Sequence, residues 1–235
     1  MSQPRLQAFV ISLPAREDRR RAFSKAWDAS ACGSAADARF IPGIAIPDHI
    51  TGYARMALCD MACAVSHRRA VATAAAAGLE SVLVLEDDAE PEEGADLAGF
   101  LARLANAPAG WDTVNLGGCT AQWRPATPAL QVERVGKDWS YVRGMVTTHA
   151  ILYHRMIYDD VLASVPDDEE FANTANGFNS CRPYDQWLGS HGRMLTGNHP
   201  LFVQSGSCSD ILGVPHGTSI AKLIRDTYQT IRETL

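Results

Sequence analysis

Long apolar runs are missing from this chain. No stretch reaches the roughly 20 residues needed to cross a bilayer, and Met1 to Leu6 lacks the apolar core of a secretory leader. Cysteine is sparse and scattered. Cys32, Cys59, Cys63, Cys119, Cys181 and Cys208 include no C-x-x-C pair, so a zinc ribbon is not expected. Cys59 and Cys63, four apart on an expected helix, have a spacing able to seat a metal, but apolar filling is the favoured reading. Positive charge is also short: 21 Lys and Arg stand against 27 Asp and Glu, and the net charge of −6 argues against binding a nucleic-acid backbone. A single nucleotide stays open, because a metal and one or two arginines can meet its phosphates. Internal repeats, low-complexity tracts and linkers are absent, so one domain over residues 1–235 is expected. These absences favour a reducing cytoplasm, and loose association with the inner face of a membrane would leave no mark.

What the chain does have is an alternation of strand and helix signals. Gln7–Leu13 reads as a first strand closed by Pro14, and Arg16 to Lys25 as the helix after it. A short strand around Arg39–Ile41, a long helix from Gly52 to Ala77 and a strand from Ser81 to Leu85 follow, with Gly78 as the helix stop. A helix over Gly94–Ala105 and a strand over Thr113–Leu116 complete the first half. This pattern predicts an α/β fold with a mostly parallel central sheet. The second half is less regular. A strand over Thr147–Tyr153, helices over Met156–Ser164 and Pro183–His191, and a terminal helix over Ser219–Leu235 are expected. Between them, Pro166–Pro183 reads as a long polar loop.

The most informative stretch is Ser81-Val-Leu-Val-Leu-Glu-Asp-Asp-Ala89. Five residues with the composition of a strand buried on both faces run into three consecutive acids. In open α/β sheets the carboxyl ends of strands border the ligand crevice. Adjacent acids repel one another unless a cation lies between them, and Mg²⁺ or Mn²⁺ suits oxygen ligands. The plainer alternative is a solvated acidic turn.

Six segments, in order, resemble glycosyltransferase family 25, which includes lipopolysaccharide-modifying and collagen galactosyltransferases. They are Val10-Ile-Ser-Leu-Pro14 with Asp18-Arg19-Arg20; Cys63-Ala-Val-Ser-His67; Val84-Leu-Glu-Asp-Asp-Ala89; Thr148-His-Ala-Ile-Leu-Tyr153; Pro183-Tyr-Asp-Gln-Trp-Leu188; and Gln204 through Ser209-Asp-Ile211. The likeness spans residues 8 to 211. It departs around Leu58-Cys59-Asp60, where the family often has a glycine, and the stretch from Asn173 to Cys181 matches nothing in the family.

The resemblance implies a GT-A type, Rossmann-like nucleotide-sugar-binding fold. It further implies a metal-dependent enzyme moving a hexose, galactose being the family example, from a UDP-sugar donor to a glycan acceptor such as lipopolysaccharide core, with inversion. Asp88 and Asp210 would hold Mn²⁺ or Mg²⁺, with His216 a more speculative addition. Glu86 would face the ribose or the metal, supported by Asp87, and alternation along a strand would let Glu86 and Asp88 converge while Asp87 turns away. Arg19, ranked ahead of Arg16 and Arg20, would clamp a phosphate. Leu13 would pack against the base, and His67 would face the donor.

Asp185 is the candidate base that takes the acceptor's hydroxyl proton. Structural alternatives stand beside each role: a helix-capping aspartate for Asp185, a turn hydrogen bond for Asp87 and a satisfied core histidine for His67. Ser66 and His67 cannot act as a pair, because adjacent helix residues diverge by about 100°. Two other functions compete. A binding protein that kept the fold but lost catalysis is one. A receiver-like signalling module is the other, opposed by eighty residues of α/β structure preceding the acids.

Overall fold

A computed structural model describes residues 5–47, 49–50, 52–120, 129–174, 183–204 and 217–234. From β1 (Leu6–Ser12) the chain passes through α1 (Glu17–Ala29) and the short α2 (Cys32–Ala35) to β2 (Ala36–Pro42). The long α3 (Gly52–Ala76) feeds β3 (Ser81–Glu86), and β4 (Ala89–Pro91), α4 (Leu97–Leu104), β5 (Thr113–Asn115) and β6 (Cys119–Thr120) follow. A hairpin of β7 (Gln131–Arg134) and β8 (Trp139–Arg143) leads to β9 (Met145–Val146) and β10 (Ala150–His154). The last elements are α5 (Tyr158–Ser164), α6 (Asp168–Thr174), α7 (Tyr184–Leu188), β11 (Met194–Gly197), β12 (Phe202–Gln204) and α8 (Gly217–Glu233).

Eight strands form one sheet in the order β2-β1-β3-β10-β5-β11-β8-β7. β1 pairs in parallel with β2 and β3, and β5 with β11; the pairs β3/β10, β10/β5, β11/β8 and β8/β7 are antiparallel. Only β10 and β8 therefore run against the other strands of this sheet. The sheet is mostly parallel in direction, as the strand–helix alternation predicts.

Both faces are covered, which is why the Ser81–Leu85 run shows no polar alternation. Val82 and Val84 enter one core with Phe9 and with Val65, Val71 and Ala74 of α3. Leu83 and Leu85 enter the other with Ala8 and Val10, Phe23 and Trp27 of α1, and Leu97 and Phe100 of α4. Each of these four β3 side chains is fully buried, worth about 1.5–3 kcal/mol apiece. From β1 the chain crosses by α1 to β2 on one side, then returns through α3 to β3 on the other. The order of connection thus reverses between β1 and β3. In open α/β sheets such a reversal is where a ligand crevice forms, outside the carboxyl ends of the strands.

Two sequence expectations change here. The strand expected over Thr147–Tyr153 starts only at Ala150, because Thr147 takes a left-handed backbone (φ +73°) that a β-branched residue adopts at a cost. The region expected as a loop from Pro166 begins with α6. The Asp167 carboxylate accepts from the N–H groups of Glu169 and Glu170, at 3.0 and 2.9 Å, while Glu170 Oε2 accepts from the Asp167 N–H at 2.9 Å. That reciprocal capping box starts the helix. Residues 175–182 lie outside the described residues.

Gly117 shows how tightly the chain is drawn behind the crevice. Its N–H donates to Asn115 Oδ1 at 3.0 Å, and a Cβ there would meet the Phe202 carbonyl oxygen and lie 2.6 Å from His149 Nε2. Gly117→Ala is expected to destabilise the protein by about 1–3 kcal/mol through overpacking. Urea unfolding measures this, and an unchanged midpoint would contradict it. Among the described residues no helix is long and apolar enough to cross a membrane.

Candidate functional site

The site starts where β3 stops. Glu86 is the last residue of the strand, its N–H donating to the His149 carbonyl at 2.9 Å, and the Asp87 N–H donates to the Ile11 carbonyl at 3.0 Å. These two bonds pin the acids between the carboxyl end of β1 and the amino end of β10. The chain then turns through Asp87 and Asp88 into β4.

The acids do not sort as strand alternation would have them. Alternation ends with the strand at Glu86, so Asp87 and Asp88 both turn towards α1, and Glu86 towards α3. This corrects the expectation that Asp87 turns away from Asp88; the Glu86 charge still acts on Asp88. Arg19, buried on α1, donates from Nη1 to Asp87 Oδ1 at 2.9 Å and lies 3.8 Å from Asp88 Oδ2. Asp88 Oδ2 also accepts from Gln204 Nε2 at 3.3 Å, a side chain brought alongside by the β12/β4 pairing. The other oxygen, Asp88 Oδ1, is buried without a hydrogen-bond partner.

On the other side, Glu86 Oε1 accepts from Thr148 Oγ1 at 2.7 Å, and lies 3.6 Å from His67 Nε2 and 3.8 Å from Cys63 Sγ. Cys63 and His67 are four residues apart on α3 and therefore share a face. His67 is fully buried, and its Nδ1 is 2.9 Å from the Tyr153 hydroxyl, which is 3.1 Å from the Tyr184 hydroxyl. Glu86 keeps 22% of its side chain exposed, so this polar chain runs from inside the core to the surface.

Charge is distributed unevenly across the cluster. Burial, then the Glu86 charge, push the Asp88 carboxyl up to about 8, with Arg19 opposing. Burial likewise raises Asp87, against the pull of Arg19 and Ser12. Burial also acts to raise Glu86, but His67, Thr148 and His149 together outweigh it and hold the carboxyl at about 2. Burial and the Glu86 charge push the Cys63 thiol well up.

The raised Asp88 carboxyl ties stability to pH. A carboxyl whose folded pKa lies above its unfolded value stabilises the fold while protonated, below about pH 4, and that stability is lost as pH rises towards about 8. Asp88→Asn is therefore expected to raise the melting temperature of metal-free protein at pH 8 and flatten its decline between pH 5 and 8. Equal slopes in the two proteins would contradict this.

The remaining sequence candidates fall in different places. Asp185 lies in the first turn of α7; its Oδ2 accepts from the Thr147 N–H at 3.5 Å and its Oδ1 from the Gln186 N–H at 2.8 Å. The helix cap is Pro183, not Asp185. The Asp185 charge is felt at Cys63, which places it on the Glu86 side of the cluster. Arg16 makes a bidentate pair with Asp18, at 3.0 and 2.9 Å. Arg20 straps the turn after β1 by donating to the carbonyls of Leu13 and Pro14, at 2.7 and 3.0 Å. Leu13 is half-buried at the end of β1. Ser66 accepts from the Ile44 N–H and donates to the Ala62 carbonyl, apart from His67. Asp210 and His216 lie outside the described residues.

Cys63, Thr148, Tyr153 and Gln204 join this arrangement without having been singled out for it. The signal for the first was the i, i+4 spacing of Cys63 and His67; the Cys59–Cys63 spacing drew attention instead. Cys59 is buried among apolar side chains, whereas Cys63 faces Glu86 and Thr148.

No family model matches the chain, and no curated protein does. Among solved structures it is similar to a glycosyltransferase involved in the glycosylation of the major capsid of PBCV-1, at 10% identity over 94% of this chain and 99% of that one, with a TM-score of 0.49. It is also similar to mannose-1-phosphate geranyltransferase from Thermus thermophilus, at 13% identity over 83% of this chain and 74% of that one, with a TM-score of 0.45. A third is apo-UDP-glucose pyrophosphorylase, at 6% identity over 97% and 82%, with a TM-score of 0.39. These likenesses are distant, and the functional reading is carried by the site's own residues.

Proposed function

We propose that this chain is a metal-dependent glycosyltransferase of GT-A type, moving a hexose from a UDP-sugar to a glycan acceptor with inversion. The observation that carries the reading is Asp88 Oδ1, a buried carboxylate oxygen without a hydrogen-bond partner, in an acid cluster where the connections of β1 and β3 reverse. Such an oxygen is costly to bury unless something cationic meets it. The fit to Mn²⁺ or Mg²⁺ is good: the donor atoms are carboxylate oxygens, and Arg19 neutralises only part of their charge at 3.8 Å from Asp88. Asp88 would hold the ion, with Asp210 and His216 as further proposed ligands. When bound, it would supply Lewis-acid stabilisation of the charge growing on the departing diphosphate.

The chain's own groups do the rest. Glu86, partly exposed and ionised, would accept hydrogen bonds from the donor's ribose, with Asp87 paired to Arg19 beside it. Leu13, Arg16 and His67 belong to the same donor-binding proposal. As the acceptor oxygen bonds to the anomeric carbon and the sugar–diphosphate bond breaks, Asp185 takes the hydroxyl proton. Tyr184, buried in the core, and Trp187, stacked on it at 5.7 Å between ring centroids, lie on the same short helix as that acid and fix its position. Galactose as the sugar and lipopolysaccharide core as the acceptor belong to the same proposal, on the family resemblance alone, and a cytoplasmic location, at the inner face of the membrane, is proposed beside them.

Thermal-shift measurements with UDP, GDP and CMP, each with and without Mn²⁺, test the donor assignment. The expected result is stabilisation by UDP that needs the metal. Stabilisation by CMP alone, or by UDP equally without metal, would overturn it.

A further inference from the structure

The Cys63–His67–Glu86 group remains only partly used by that reading. Among the described residues, these three side chains offer ligand atoms that all lie within 4.8 Å of one another. A tetrahedral zinc ion with bonds of about 2.3 Å to sulfur and 2.0–2.2 Å to nitrogen and oxygen would separate sulfur from oxygen by about 3.6 Å and nitrogen from oxygen by about 3.4 Å. The observed separations are 3.8 Å from Cys63 Sγ to Glu86 Oε1 and 3.6 Å from His67 Nε2 to the same oxygen. Both separations from the carboxylate oxygen are thus within a few tenths of an ångström of the tetrahedral values.

A second observation points the same way. His67 is fully buried, yet its Nε2, aimed at Glu86, has no hydrogen-bond partner, while Nδ1 is engaged by the Tyr153 hydroxyl at 2.9 Å. Metal-binding histidines have this arrangement, one nitrogen on the ion and the other fixed by an outer partner. Thr148, at 2.7 Å from Glu86 Oε1 and 3.5 Å from Cys63 Sγ, would orient the carboxylate and the sulfur in the same manner.

We propose that Cys63, His67 and Glu86 form a binding site for a borderline divalent ion of the zinc type, separate from the all-oxygen site around Asp88. A mixed sulfur, nitrogen and oxygen set favours zinc or cobalt over magnesium. Cys63 binds as thiolate, its proton leaving to solvent as the sulfur–metal bond forms. Three protein ligands leave a fourth position, on the side where Glu86 is exposed. The site goes beyond glycosyl transfer; it shares Glu86 with the proposed donor site and, where the metal is bound, takes His67 Nε2 in place of the donor.

The test is titration of chelator-stripped protein with Co²⁺ and Zn²⁺. Wild-type protein is expected to take up Co²⁺ with a thiolate-to-cobalt charge-transfer band and the intense visible absorption of a tetrahedral ion. Cys63→Ser should lose the charge-transfer band, Cys59→Ser should keep it, and His67→Gln should weaken Zn²⁺ binding about tenfold or more. Asp88→Asn should retain the band, which separates this site from the proposed donor metal. Absence of the band in wild-type protein, or its survival in Cys63→Ser, would overturn the proposal. The wild-type spectrum is decisive even if a variant fails to fold.

Discussion

Asp88→Ala is expected to abolish transfer, with kcat/KM falling about 10³-fold or more, the equivalent of several kcal/mol of lost charge stabilisation at the departing diphosphate. The size of the effect follows from the position of the carboxylate. One oxygen is held by Gln204 at 3.3 Å and lies 3.8 Å from Arg19, while the other is buried and unbonded, so a bound cation would find a ligand oxygen already placed and would displace the proton that burial favours there. Alanine removes that ligand, while Asp87 still pairs with Arg19. Metal-dependent stabilisation by UDP should vanish in the same variant. Turnover within tenfold of wild type would exclude Asp88 as a metal ligand.

Asp185→Asn is expected to lower turnover about 10²- to 10⁴-fold, the usual worth of a positioned general base, with UDP stabilisation unchanged. Asparagine keeps the shape and an oxygen acceptor for the Gln186 N–H, turns an NH2 towards the Thr147 N–H and has no basic oxygen. The surroundings support a positioned group: Thr147, whose N–H meets Asp185 Oδ2 at 3.5 Å, is held at φ +73°. Backbone strain of this kind, about 1–3 kcal/mol, persists only where neighbours over-determine it. Unimpaired turnover, measured as UDP release at saturating donor, would remove Asp185 from the base role. A donor-binding protein without catalysis would show equal, negligible turnover in wild type and variant.

Much of the first half of the fold was legible because β1, α3 and β3 are long and strongly patterned. Ser81–Leu85 reads as a doubly buried strand, and its side chains do divide between two cores. The short elements were harder. β5 and β12 are three residues each, and the β7–β8 hairpin around Val135–Asp138 lacks the asparagine–glycine or aspartate–glycine turn that announces such a connection. α6 was readable in principle from Asp167-x-x-Glu170, but the polar composition of the region masked it.

The site divides in the same way. The position of the acids at a strand's carboxyl end follows from hydrophobic patterning. Their orientation does not, because the β period ends at Glu86 and the following turn is set by Arg19, Gln204 and the Ile11 carbonyl, contacts between residues far apart in sequence. Thr148, which bonds Glu86, and Tyr153, which bonds His67, come from the turn before β10 and from β10 itself, and only the antiparallel insertion of that strand beside β3 brings them there.

Above all, the acids ending β3 are held to bind a divalent cation against a diphosphate. Anomalous diffraction from crystals soaked with Mn²⁺ and UDP tests this most directly. The expected result is a manganese peak within bonding distance, about 2.0–2.3 Å, of an Asp88 carboxylate oxygen and in contact with the UDP phosphates. Bound UDP with no manganese at Asp88, or manganese bound only elsewhere, would contradict it.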